Sequence, residues 1–297
     1  MVYRLKDFGS YTVGGRIAQI TEGEPFQVQF TRSASHTVDP RGHFAIEHAY
    51  VQYFVPESRR PGPPVVLVHG GGMSGACWDT TPDGRPGWLQ ALLKRGHEVH
   101  VVDAVERGRA GFAPGHWDGD PLLRSLEEAW TLFRIGAREG FSARQPFETQ
   151  LFPFDHLEAL ARTFVPRWLS TTHLQTRALL AVLERTGPAV VICHSQGGEV
   201  AFDAHQKQPD AFESIIALEP SFLPEDPAAF ARTDLTIVAG DHLQIDQQWI
   251  DRGIAWQNLV EATGGRYIDP TVLGPGNSHM LMMDKNSDLV LEAALAL

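Results

Sequence analysis

The chain is poor in cysteine: Cys77 and Cys193 are the two thiols in 297 residues. Two thiols cannot make a disulfide framework, and neither stands in a CxxC or Cys/His spacing, so a stapled small scaffold and a structural zinc site are excluded. Basic residues are also in deficit. The 25 Lys and Arg stand against 36 Asp and Glu, giving a formal net charge of −11. Holding nucleic acid or an anionic membrane by broad electrostatics requires the opposite balance. No apolar run approaches the ~20 residues that span a bilayer, and the opening MVYRLKDFGSYTVGG has no apolar signal core, so a cytoplasmic protein is expected. Internal repeats and low-complexity tracts are absent as well. What remains is 43% hydrophobic and 21% charged, the make-up of a globular chain long enough for one large α/β domain with an insertion.

Residues 11–55 read as antiparallel strands, SYTVGGRIAQI, FQVQFTR and FAIEHAYVQYFV, with a glycine turn at Gly14-Gly15, forming one edge of a sheet. RRPGPP then breaks the pattern. A short buried strand at 65–68 runs into His69-Gly70-Gly71-Gly72, an amphipathic helix follows at 88–95, and a further strand at 98–102 ends at Asp103. From Phe112 to about Ser170 the strand-helix alternation stops, with helical pieces at 121–135 and 156–168. An insertion of that length inside a compact domain is expected to be a cap over a site rather than a structureless loop. The core is therefore assigned to 1–111 and 171–297, and the cap to 112–170. Alternation returns with a helix at 176–185, strands at 214–218 and 235–238, a long helix at 247–262 and a last helix from about Leu289. This pattern predicts a mostly parallel sheet with helices on both faces and a ligand site beyond the carboxyl ends of the strands.

The stretch that organises the chain is PAVVICHSQGGEV, residues 188–200. Val190, Val191 and Ile192 read as a strand buried on both faces, Gln196-Gly197-Gly198 permit a sharp turn, and helical spacing resumes at Glu199. Ser195 stands at the turn. The Gly-x-Ser-x-Gly elbow is present with Cys193 in the first glycine position. A serine hydroxyl needs a base to remove its proton and a third group to orient that base. His279, in the loop GPGNSHM before the last helix, is where the base belongs in the order serine, acid, histidine. Two acids compete for the third role, Glu219 closing SIIALE and Asp241 closing TIVAGD, and pattern alone leaves both open. Backbone N–H groups for an oxyanion come from the glycine run, with Gly71 favoured and Gly72 the alternative, and from Gln196. The same glycines lack the following Lys-Ser or Lys-Thr of a phosphate cradle, and HEVH at 97–100 is not HExxH, so neither cofactor nor metal is expected. Trp78, Trp88, Phe112, Trp117, Phe152, Phe154 and Trp168 are candidate pocket walls.

Taken together, FGSYTVGGR, VHGGGMSGACWDTTPDGRPGW, HSQGG, ALEP, VAGDH and GNSHMLMMDKN resemble the α/β-hydrolase serine esterases, and within them the bacterial (Alcaligenes-type) carboxylesterase. The resemblance runs along nearly the whole chain. It implies the α/β-hydrolase fold, Ser195 as nucleophile, His279 as base and Glu219, rather than Asp241, as the acid. It also implies a small-molecule ester or lactone substrate and a homodimer. That carboxylesterase is secreted and carries adjacent cysteines where this chain has Gly71-Gly72. A carbon-carbon bond hydrolase of the same fold, using the same three residues, is the alternative.

Overall fold

The computed structural model describes residues 2–113, 115–224 and 226–296. Its centre is an eight-stranded sheet. Two long antiparallel strands, β1 (Leu5–Ile20) and β4 (Gly42–Pro56), form one edge, and β6 (Val99–Asp103) pairs antiparallel to β4. From there the sheet is parallel through β5 (Val65–Val68), β7 (Ala189–His194), β8 (Phe212–Leu218), β9 (Asp234–Val238) and β10 (Arg266–Ile268). The order across it is β1-β4-β6-β5-β7-β8-β9-β10. Strands β2 (Phe26–Thr31) and β3 (Ala34–Val38) make a separate hairpin. All four side chains of VVLV in β5 are at most 2% exposed. Each contributes roughly 1.5–3 kcal/mol by burial, as expected of a parallel strand covered on both faces.

Two expectations need correction. Gly14-Gly15 is not a turn: β1 runs straight through it, paired to β4 on both sides in unbroken register, with Gly14 opposite His48 and Arg16 opposite Ile46. Gly15 takes a φ of +76°, and a Cβ there would stand 2.5 Å from the Ile46 carbonyl oxygen, so β1 approaches its partner there more closely than a side chain allows. The second correction concerns FQVQFTR: β2 pairs with β3 in a hairpin of its own and is not part of the sheet edge, while β10, a three-residue edge strand, is too short to show a period in the sequence.

Helices α1 (Trp88–Lys94), α4 (Thr172–Thr186), α5 (Gln196–Lys207), α6 (Gln247–Thr263) and α8 (Ser287–Leu295) cover the sheet, with a single turn, α7 (Pro270–Leu273), before the loop to His279. Between β6 and α4 the helical pieces are shorter than the sequence suggests: α2 spans Leu126–Leu132 and α3 spans Leu157–Ala161. Trp130, Phe133, Ile135, Phe152, Leu157 and Leu160 of that stretch are buried in the same apolar cluster as Val65, Leu67 and Ile192 of the sheet. The insertion is thus rooted in the core, which gives it a fixed position over the strand ends. Among the described residues no helix is long and apolar enough to cross a membrane.

Candidate active site

The chain order places a switch point between β5 and β7. From β5 the chain moves outward to β6, then returns to the other side of β5 as β7 and continues away from it. Loops leaving the carboxyl ends of such neighbouring strands diverge and leave a crevice. Ser195 sits there, one residue past β7, with φ 50° and ψ −116°. A non-glycine residue in that region costs of order 1–3 kcal/mol, and its surroundings hold it there. Its N–H donates to Leu218 O (3.0 Å), and its carbonyl accepts from Gly198 N (2.9 Å) and Ser221 N (3.0 Å). At Gly197 a Cβ would come within 2.8 Å of Val68 O and 2.7 Å of His69 O, so only glycine lets α5 start against the end of β5. Cys193, where the elbow pattern has its first glycine, points into the core with its Sγ 3.7 Å from Ile216 O.

The next strand, β8, delivers Glu219, whose side chain is fully buried. Glu219 Oε2 bonds His279 Nδ1 and also accepts from Arg134 Nη1 at 2.9 Å; Oε1 accepts from Arg134 Nη2 and from Gly240 N at 2.6 Å. Burial alone would raise the Glu219 carboxyl. The Arg134 guanidinium and the His279 hydrogen bond outweigh it and hold the group well below the usual carboxylate range. His279 moves the other way. Burial, with Arg134 and Arg252 adding to it, outweighs the Glu219 contact and lowers the imidazole below its ordinary value, leaving it neutral at pH 7. The ring is bracketed by Phe133 (centroids 5.9 Å), Trp249 (5.3 Å) and His194 (4.6 Å). His194 Nε2 donates to the His279 carbonyl at 2.9 Å, and His279 N donates to Phe133 O at 3.0 Å, so the loop is pinned on both sides.

Asp241, the competing acid, does something else. Its Oδ2 accepts from Gly276 N at 2.8 Å, its Oδ1 from His242 N at 2.6 Å, and its carbonyl from Arg134 Nε at 2.7 Å. It anchors the loop leading to His279 and does not reach the imidazole.

A cavity of about 230 Å³ is lined by Ser195, His279, Gly71 and Gln196 among others. As the first residue of α5, Gln196 has a backbone N–H that the helix leaves unpaired. Gly71 rather than Gly72 borders this cavity; the Gly72 carbonyl is bound by Val165 N at 3.0 Å, and the residue lines a neighbouring depression. His69 fixes the loop's start, its Nδ1 donating to Gly70 O (2.9 Å) and its Nε2 accepting from Ala104 N (3.1 Å). Burial and then Arg107 push its pKa down to about 4, which keeps that tautomer neutral. The aromatic candidates do not line this cavity. Trp78 and Trp88 pack on one another in the core, and Phe112 and Trp117 both pack on Trp168. Its aromatic walls are Phe133 and Trp249 instead.

Sequence reasoning misses Arg134 and the cationic lining made by Arg124, Arg167 and Arg252. The one signal for Arg134 is a lone charge inside AWTLFRIG, a run whose members Trp130, Phe133 and Ile135 are all buried. A charge in such a run needs a partner if it goes inside.

A model of an alpha/beta hydrolase family matches residues 65–279. A structure described as that of a novel bacterial esterase superposes with a TM-score of 0.85 and 27% identity, covering 99% of this chain and 96% of its own. A curated fungal protein (strain ATCC 74256), named probable secreted lipase phiG, is 31% identical over 195 residues, which are 60% of this chain and 50% of that one. This chain therefore spans about half the length of that curated relative.

Proposed function

Because the chain belongs to the alpha/beta hydrolase family, we propose that it is a serine hydrolase cleaving a carboxylic ester or lactone through an acyl-enzyme. The observation that carries this reading is the Glu219–His279 hydrogen bond ending at a cavity that His279 shares with Ser195, Gly71 and Gln196. The likeness to a bacterial esterase over nearly the full length of both chains supports an ester as the substrate. In this mechanism Ser195 Oγ attacks the carbonyl carbon while His279 Nε2 takes its proton. The Gly71 and Gln196 N–H groups receive the oxyanion, and Glu219 holds the imidazolium. Cleavage of the carbon-oxygen bond sends the proton from His279 to the leaving alcohol. Water, deprotonated by the same imidazole, then releases the acid. Among the described residues Ser195 Oγ makes no hydrogen bond, so turning this hydroxyl toward Nε2 is the motion the mechanism requires; such contacts commonly tighten when substrate binds.

The test is a serine-directed fluorophosphonate applied during hydrolysis of p-nitrophenyl acetate. The expected result is one phosphonyl group per chain, mapped by peptide mass to Ser195, with turnover lost in step with labelling. Turnover that survives full labelling, or a label on another residue, overturns the reading.

The pH profile gives a second expectation. The base works only when neutral, so kcat/KM rises with pH as His279 loses its proton, and Glu219 stays ionised throughout. Since the imidazole is lowered from 6.5, the acid limb should have its midpoint below that value. A midpoint at or above it would mean that the base is not the buried His279 imidazole.

A further inference from the structure

Resting on the ester or lactone reading above, we propose that the substrate carries a second, anionic group of the carboxylate type, held by Arg167 and Arg252. The chain as a whole is strongly acidic, with a net charge of −11. Yet among the described residues no Asp or Glu lines the cavity at Ser195, while three arginines do. Arg124 is already matched, its Nη1 2.6 Å from Glu128 Oε1. The other two are not. Among the described residues neither the Arg167 nor the Arg252 guanidinium has a hydrogen bond or an ion pair, and Arg167 Nε is buried without any partner.

Their positions explain what they could serve. Arg167 lies against the glycine loop: a Cβ added to Gly71 would stand 2.0 Å from its Nη1, so the guanidinium occupies space that the glycine leaves beside the carbonyl site. Arg252, on α6, stacks over Trp249 at 4.9 Å, and Trp249 is also a cavity wall. Burial lowers the pKa of both groups, but arginine keeps its proton. The carboxylates that act on them, Glu199 and Glu106 on Arg167 and Glu219 and Asp246 on Arg252, form no ion pair with either, and the Glu219 charge is already shared between Arg134 and His279. Two half-buried, unmatched guanidinium groups are costly in an empty site and are relieved by a ligand that brings negative charge. A cavity of about 230 Å³ has room for a short acyl chain with a terminal carboxylate and little more. An apolar fatty acyl chain would leave both cations unmatched.

The experiment compares monoethyl glutarate with its neutral isostere, ethyl glutaramate, by acid release at constant pH. A charge-assisted pair predicts a kcat/KM ratio of at least about tenfold in favour of the charged ester. Arg167→Gln and Arg252→Gln should each bring that ratio toward one, whatever either does to the neutral ester. Raising salt should lower it too. Equal use of the two esters by the unmodified protein overturns the proposal, as does a ratio indifferent to both substitutions. A fall that is equal for both esters in Arg167→Gln assigns that residue to the reacting carbonyl and overturns it likewise. If neither ester is hydrolysed, the ester reading has failed and the anion site is read by calorimetry instead. Glutarate binding that exceeds glutaramate binding and is lost in both variants supports the site; equal binding of the two overturns it.

Discussion

Replacing Glu219 by glutamine is expected to lower kcat on the order of 10⁴-fold, while Asp241→Asn stays within about tenfold of the unmodified protein. The difference follows from which carboxylate meets the imidazole. Glu219 Oε2 accepts from His279 Nδ1, which puts the remaining lone pair on Nε2, the nitrogen that faces the serine in the proposed mechanism. An amide can present an N–H there instead, reversing the tautomer and turning the base into a donor. Asp241 has no such contact; its carboxylate receives backbone N–H groups of Gly276 and His242, and an asparagine oxygen can still accept one of them. Because Glu219→Gln also leaves Arg134 without its counter-charge, activity should be measured well below the melting temperature and normalised to folded protein. Equal losses in the two variants, or the larger loss in Asp241→Asn, would reverse the assignment of the acid.

That choice between two acids shows where the sequence stops being readable. Ser195 and Gln196 are legible because their environment is local: an apolar strand, a tight turn and a helix in a dozen consecutive residues. His279 is legible by its place before the last helix. Glu219 and Asp241 each close an apolar strand, and β8 and β9 are neighbours in the sheet, so both carboxylates reach the same edge. Which one meets the imidazole depends on how the 276–280 loop folds back, and no local pattern encodes it. The unbroken pairing through Gly14-Gly15 is illegible for a related reason. Two glycines with positive φ make a turn or stay within a strand according to whether the partner strand continues, and that partner, β4, lies some thirty residues on. The arginines of the cavity come from three separate segments, α2's approach, the end of the insertion and α6, so their convergence is a property of the fold. The same holds for strain. Arg134, Ser195 and Glu219 all take left-handed φ values, of 54°, 50° and 44°, and all three meet at this one site.

Arg134→Met is expected to cost about 3–5 kcal/mol of folding stability at neutral pH, more than other single changes at this site. Both members of the Arg134–Glu219 pair are fully buried. Taking both charges away together can be nearly neutral, but removing one strands the other in a medium that solvates it poorly. The substitution also removes the Nε donor to Asp241 O at 2.7 Å and the guanidinium stacked 4.3 Å over Trp249, loosening the loop to His279. The pH dependence identifies the cause. A carboxylate whose folded pKa lies below its unfolded value of about 4.5 contributes stability that is present above that pH and is lost as pH falls toward the folded value. The gap between Arg134→Met and the unmodified protein in urea unfolding should therefore be full at pH 7 and narrow below about pH 4.5, where protonated Glu219 no longer needs a counter-charge. Since Arg134 lowers the His279 pKa, its removal should also move the acid limb of kcat/KM toward higher pH. Packing loss alone would give a gap independent of pH and an unmoved limb. The double variant Arg134→Met with Glu219→Gln separates the two further: it should regain part of the stability lost in Arg134→Met while remaining as inactive as Glu219→Gln, because the fold needs the charges matched whereas the imidazole needs the carboxylate itself.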